Sequence, residues 1–170
     1  CRLGTNAAPA LPLIMRLLGS VTNTSAENLA DVPIPPSFPA NLVNILGTVG
    51  PSARTAVPLL IAFTQSDRPP LCRNAMRVLG LLGPEARDAE GGLLALLNDP
   101  DPETQWFAAK SLFEIDPSEA PRCVPILLAG VDAPGEYLHV HIRFLGSLGE
   151  AARPLVPKLM KMLKENESLR

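Results

Sequence analysis

Apolar side chains recur along this chain at a fixed interval of 33 residues. Leu46, Leu79, Leu112 and Leu145 form one column, and Val49, Leu82, Ile115 and Leu148 a second. Val43, Met76, Ala109 and Ile142 form a third. Within a unit the three positions are three residues apart, which puts them on one face of a helix. Between them runs a polar column, Asn44, Arg77, Lys110 and Arg143, expected to face water. The pattern predicts an amphipathic first helix in each unit, closed by Gly50-Pro51, Gly83-Pro84, Asp116-Pro117 or Gly149-Glu150. Asp67, Asp101 and Asp132 each stand shortly before a proline and the start of that helix. Asp caps free N–H groups there, and proline is tolerated in the first turn because its missing N–H needs no partner.

A second helix follows, with Leu60, Leu93, Leu127 and Leu159 as its apolar column; one residue is inserted in the third unit. Pro58, Pro125 and Pro157 recur inside this stretch, and Pro12 matches them. Proline within a helix costs about 3 kcal/mol. The pattern therefore predicts a short opening turn, as over residues 51–56, with the main helix starting near each proline. Gly91 holds that slot in the second unit, which predicts a different start there. Gly47, Gly80 and Gly146 are expected to let neighbouring helices come close. Phe113 in their column predicts packing pushed apart, or a ring turned outward.

Repetition at this period marks an all-α solenoid, one domain over 1–170 with about four and a half helix pairs. Residues 1–19 fit the frame as the second half of a unit, so the chain reads as part of a longer protein. Residues 20–39 read as an inserted, proline-rich loop at one edge.

The chain has 170 residues, 46% of them apolar and 4% aromatic, and a formal net charge of −2. That charge weighs against nucleic acid, which needs clustered Lys and Arg. No apolar run reaches eighteen residues, so no membrane span is expected. Cys72 and Cys123 lack Cys-x-x-Cys spacing and read as small buried hydrophobes. The compartment stays open.

The segments Leu-Gly-Leu-Leu-Gly-Pro-Glu-Ala-Arg at 79–87 and Leu-Gly-Thr-Val-Gly-Pro-Ser-Ala-Arg at 46–54 resemble the short bacterial HEAT-like repeats, related to those of phycobilisome lyases. The stretch 67–83 resembles that family's Asp…Val-Arg-x-x-Ala…Leu-Gly helix, with Cys72-Arg73 in the Val-Arg slot. The likeness covers the chain apart from 20–39. It implies a right-handed, armadillo-like α-solenoid of HEAT-like helix pairs. It also implies that Arg73 joins neighbouring units; the same column holds Ala40, Trp106 and His139. It says little about function, since the family hosts many roles.

Trp106 and Phe107 fall in columns that read as partly exposed, with Tyr137 and His139 alongside in the next unit. Exposed neighbouring aromatics suit a protein-binding hot spot. The alternative is rings packed beneath the adjoining loop. His139 and His141 are two apart on a helix and cannot share a metal; His141, in the column of Ala75 and Ala108, reads as a hydrogen-bonded core residue. Arg54, Arg87 and Arg153 form a ladder suited to an acidic partner, or one neutralised by Glu85, Asp88 and Glu150. The acidic run at 99–103 reads as helix capping, because it lacks the glycine and distal Glu of a calcium loop. Lys158, Lys161 and Lys164 read as a polar terminal face.

No catalytic constellation, metal site or cofactor motif stands out. The chain reads as a monomeric, non-catalytic scaffold that offers the surface of its second helices to a protein or peptide. The alternatives are a chromophore lyase or chaperone, a nucleic-acid-binding module like the HEAT-like DNA glycosylases, or a passive spacer.

Overall fold

The computed structural model describes residues 11–23, 38–130, 138–147 and 157. The fold is all-α, with no strand among those residues. Its helices are α1 (Leu11–Asn23), α2 (Phe38–Val49), α3 (Val57–Phe63), α4 (Pro69–Leu82), α5 (Glu90–Leu96), α6 (Pro102–Ile115), α7 (Ala120–Ala129) and α8 (Leu138–Ser147). Helical turns of 3-10 type occupy Gly50–Ala56, Gly83–Ala89 and Pro117–Glu119.

The turn-then-helix reading of the second helices holds. Gly50 and Gly83 take φ of +74° and +59°, a region closed to most side chains, so the chain reverses at these glycines. In the third unit Asp116 stays extended and its carboxylate accepts the Ser118 N–H at 2.9 Å. Two expectations need correction. α5 starts as α3 does, despite Gly91, because the preceding turn with its buried Ala86 and Ala89 sets the start. α7 starts at Ala120, so Pro125 lies inside it. Proline there withholds only the bond to the Pro121 carbonyl, and Pro121 is exposed to water.

Asp101 caps α6 as expected, accepting from the N–H groups of Glu103 at 3.3 Å and Thr104 at 3.1 Å. Asp67 does not cap α4. Arg68 holds the cap position without a side-chain bond, because Asp67 stands one residue too early relative to Pro69. Asp132 lies outside the described residues. Residues 20–23 and 38–39, expected in the inserted loop, are helical instead; 24–37 lie outside the described residues. α1 runs through Asn23, where no Gly or Pro stops it, and α2 begins at Phe38 with Pro39 in its first turn.

Leu46, Leu79, Leu112 and Leu145 are fully buried. Val43, Met76 and Ala109 are too, but Ile142 is exposed. Leu60, Leu93 and Leu127 bury the second helices. The substantial contacts join each helix to its own unit or the next: α1 to α2, α2 to α4, α4 to α6, α3 to α4, α5 to α6, α6 to α7 and α7 to α8. Close approach holds at two of the three expected glycines; Gly146 corrects the expectation, since a Cβ there meets nothing within 4 Å among the described residues. A Cβ on Gly47 would lie 3.1 Å from Val78 Cγ2, and one on Gly80 would lie 3.0 Å from Ser111 Cα. Phe113 is half-buried, its ring edge-on to Phe144 at 6.2 Å.

The polar column does not simply face water. The Arg77 guanidinium donates to Asn44 Oδ1 at 2.5 Å, joining equivalent positions of α2 and α4. Burial pushes its pKa down. Lys110 is 8% exposed, bonds Glu114 and lies 4.9 Å from the Phe144 ring centre. These side chains lie in the seams between successive first helices, Arg77 against α2 and Lys110 against α8. Arg143 is exposed as expected.

Gly91 is exposed in α5, and a Cβ added there meets nothing within 4 Å. Gly91→Ala is therefore expected to raise stability by about 0.5–1 kcal/mol through helix propensity and a less flexible unfolded chain. A urea titration reads this as a higher midpoint; a lower one would mean that the bare backbone is needed.

Candidate functional site

Trp106 and Phe107 are not surface residues. They are 1% and 4% exposed, which corrects the expectation of an exposed aromatic pair. The Trp106 indole stacks on His141 with centroids 3.9 Å apart and planes 27° apart, and meets Phe107 and Phe144 edge-on. Its Nε1–H donates to the Leu127 carbonyl at 3.3 Å. Gly130 makes the room: a Cβ there would run into the indole. The alternative reading, rings packed beneath a neighbouring segment, describes this arrangement. Tyr137 lies outside the described residues. His139 lies in α8, but its side chain is outside them too.

One unit earlier the same column does a related job with charge. Arg73 Nη2 lies 3.1 Å from Asp101 Oδ2, tying α4 to the cap of α6. Burial alone would raise the Asp101 pKa. Hydrogen bonds from Thr104, Arg73 and the Glu103 and Thr104 amides outweigh it and hold the carboxyl below its usual range.

His141 is 1% exposed, as its column implied. Its Nδ1 lies 2.9 Å from the Gly130 carbonyl oxygen, and its Nε2 lies 3.5 Å from Glu103 Oε2. Glu103 was legible only as part of the acidic capping run. Its approach to α8 depends on how α6 and α8 pack, which no local pattern encodes. The two residues line a cleft of about 250 Å³ with Gln105, Pro125, Ile126 and Ala129.

Arg54 and Arg87 are exposed and paired, Arg87 with Glu90 and Asp116 in place of the expected Asp88. Arg54 meets Glu85 at 3.3 Å, and Arg87 meets Glu90 at 3.2 Å and Asp116 at 3.9 Å. Backbone and side-chain hydrogen bonds to Ser118, with a smaller contribution from Arg87, hold the Asp116 carboxyl below its usual range. Exposed pairs of this kind contribute about 0–1 kcal/mol each, so they neutralise the ridge more than they brace it. Arg54 and Arg87 line a cleft of about 400 Å³ with Pro58, Pro84, Glu85 and Asp88. Arg153 lies outside the described residues.

Cys72 and Cys123 are buried, as expected. Burial pushes the Cys123 thiol up to about 11, with Glu119 adding to it. Burial, then Asp99, raises that of Cys72. A raised folded pKa favours the neutral thiol in the folded chain. That stabilisation is whole below the ordinary value of 9.0 and fades as pH climbs toward 11. Cys123 is expected to react with Ellman's reagent at pH 8 only as fast as the chain opens. Reaction at the rate of a free thiol, in a variant lacking the other cysteines, would contradict its burial.

Comparison with protein-family models, curated proteins and solved structures finds no match to this chain. Among the described residues no helix is long and apolar enough to cross a membrane, and no group of three His, Cys, Asp or Glu is placed to hold a metal ion.

Proposed function

We propose that the chain is a right-handed α-solenoid of HEAT-like helix pairs that acts as a non-catalytic scaffold, holding a protein or peptide against its second helices. One observation carries this reading. Pro58, Gly91 and Pro125 occupy matching positions in α3, α5 and α7, as do Ala62, Ala95 and Ala129, and all six are exposed. Three successive second helices thus offer small side chains in register, leaving room for another backbone to come close. Arg54 and Arg87, neutralised by their carboxylates, line a cleft beside Pro58. A neutral, smooth strip suits a polypeptide better than the phosphate backbone of nucleic acid. The architecture draws support from contacts one unit apart, such as Arg77 to Asn44 and Ser111 Oγ–H to the Met76 carbonyl at 2.7 Å.

The test is capture of partners by the full-length protein carrying Ala62→Arg and Ala95→Arg. Both sites are exposed, so stability is expected to change by no more than about 0.5 kcal/mol. Partners held by the parent protein are expected to be lost by the variant at an unchanged melting temperature. Retention of the same partners at the same level would remove the second-helix face as the binding surface.

A further inference from the structure

With His141 in its neutral form, two hydrogen-bond acceptors face each other at the junction of α6, α7 and α8. The Gly130 carbonyl oxygen, 2.9 Å from His141 Nδ1, can only accept. Nδ1 therefore carries the proton, and in the neutral ring Nε2 is a bare lone pair. That lone pair points toward Glu103 Oε2, 3.5 Å away. Among the described residues neither atom has a hydrogen-bond partner, and the His141 side chain is only 2% exposed. Folded proteins seldom leave buried polar atoms in that state. The Trp106 stack and the Gly130 bond fix the imidazole, so the ring cannot turn away.

The shape of the surrounding space narrows what completes the pair. His141 and Glu103 both line the cleft of about 250 Å³, whose other walls include Pro125, Ile126 and Ala129. A metal ion would find two ligands here, and no third His, Cys, Asp or Glu completes a set among the described residues. An anion would meet the Glu103 carboxylate. An N–H-bearing cation meets two acceptors, Glu103 Oε2 and the bare His141 Nε2, and an aliphatic stem behind it can lie along the apolar wall. Pro125 and Ala129 also belong to the exposed strip of the second helices, so the cleft opens from that strip.

We propose that this cleft receives the cationic head of a lysine or arginine side chain from a partner protein, held between Glu103 Oε2 and His141 Nε2. The protein source of the cation rests on the scaffold reading; the chemistry of the cleft does not.

The experiment titrates the full chain at pH 7.5 with Nα-acetyl-lysinamide and Nα-acetyl-argininamide. The readouts are the His141 imidazole nitrogen resonances and the fluorescence of the single tryptophan, with His139→Gln used to assign the histidine signals. Nα-acetyl-norleucinamide serves as the uncharged control and glycinamide as the mimic of a chain N-terminus. A saturable shift of His141 Nε2 by at least one of the two side-chain probes is expected, with no response to norleucinamide. Glu103→Gln is expected to weaken that binding about tenfold, the loss of one charge-assisted hydrogen bond. His141→Asn keeps a donor for Gly130 but drops Nε2, and is expected to weaken binding similarly. Equal binding of norleucinamide, indifference to Glu103→Gln, or preference for glycinamide would overturn the proposal. So would a response to zinc chloride alone, or an Nε2 already protonated at pH 7.5 and unmoved by any probe. Binding of the side-chain probes alongside unchanged partner capture by the Ala62→Arg, Ala95→Arg variant would leave the cation site standing and remove the scaffold face.

Discussion

Trp106→Ala is expected to lower stability by about 3–5 kcal/mol, the range for emptying a large buried aromatic site. Trp106 is 1% exposed and touches three neighbouring rings, those of Phe107, His141 and Phe144. Removing it also strips the Leu127 carbonyl of a donor and His141 of the surface it stacks on. A domain commonly has only about 5–15 kcal/mol in hand, so this one change takes a large share. Urea unfolding followed by far-ultraviolet circular dichroism measures it. A loss under about 1 kcal/mol would mean that the ring is not packed at the α6, α7 and α8 junction. Any loss of partner binding in this variant would follow from disrupted packing, since the ring offers no surface to a partner.

Gly80→Val is expected to cost about 3 kcal/mol through overpacking at the seam between α4 and α6. The first added carbon already lies 3.0 Å from Ser111 Cα, against Glu114 and 3.3 Å from Ser111 Cβ. The Glu114 carboxylate can swing aside, but the Ser111 backbone cannot without moving α6. Ser111 is held there by its bonds to the Met76 carbonyl at 2.7 Å and the Phe107 carbonyl at 2.8 Å. Better helix propensity offsets only a few tenths of a kcal/mol. The same change at Gly146, where a Cβ meets nothing within 4 Å among the described residues, serves as the matched control. Equal effects at both positions would show that propensity decides and the seam does not.

The two predictions mark where reading by column succeeds and fails. Gly47, Gly80 and Gly146 share a column that predicts close approach; Gly47 and Gly80 show it, but Gly146 does not, because among the described residues no further helix packs against it. The column that Trp106 shares with Arg73 reads as partly exposed, with rings packed beneath the adjoining loop as the alternative, and the alternative describes the structure. The exposed reading carried an edge from one unit to the next. The third unit instead closes the edge with a ring, which Gly130 admits and His141 covers. The Lys110 column failed for a similar reason: alternation around one helix cannot show that a second helix lies over the polar side.

The chain's order of residues determined by itself the helical pairs, their 3-10 openings after Gly50 and Gly83, and the leucines that fill the core. These follow from short-range forces, periodic burial and backbone sterics, which a few consecutive residues contain. Packing alone decided that Trp106 is buried, that Arg77 and Lys110 fill seams, and that Glu103 reaches His141. Each of these depends on where a neighbouring helix comes to rest, and that is a balance of many contacts no local window holds.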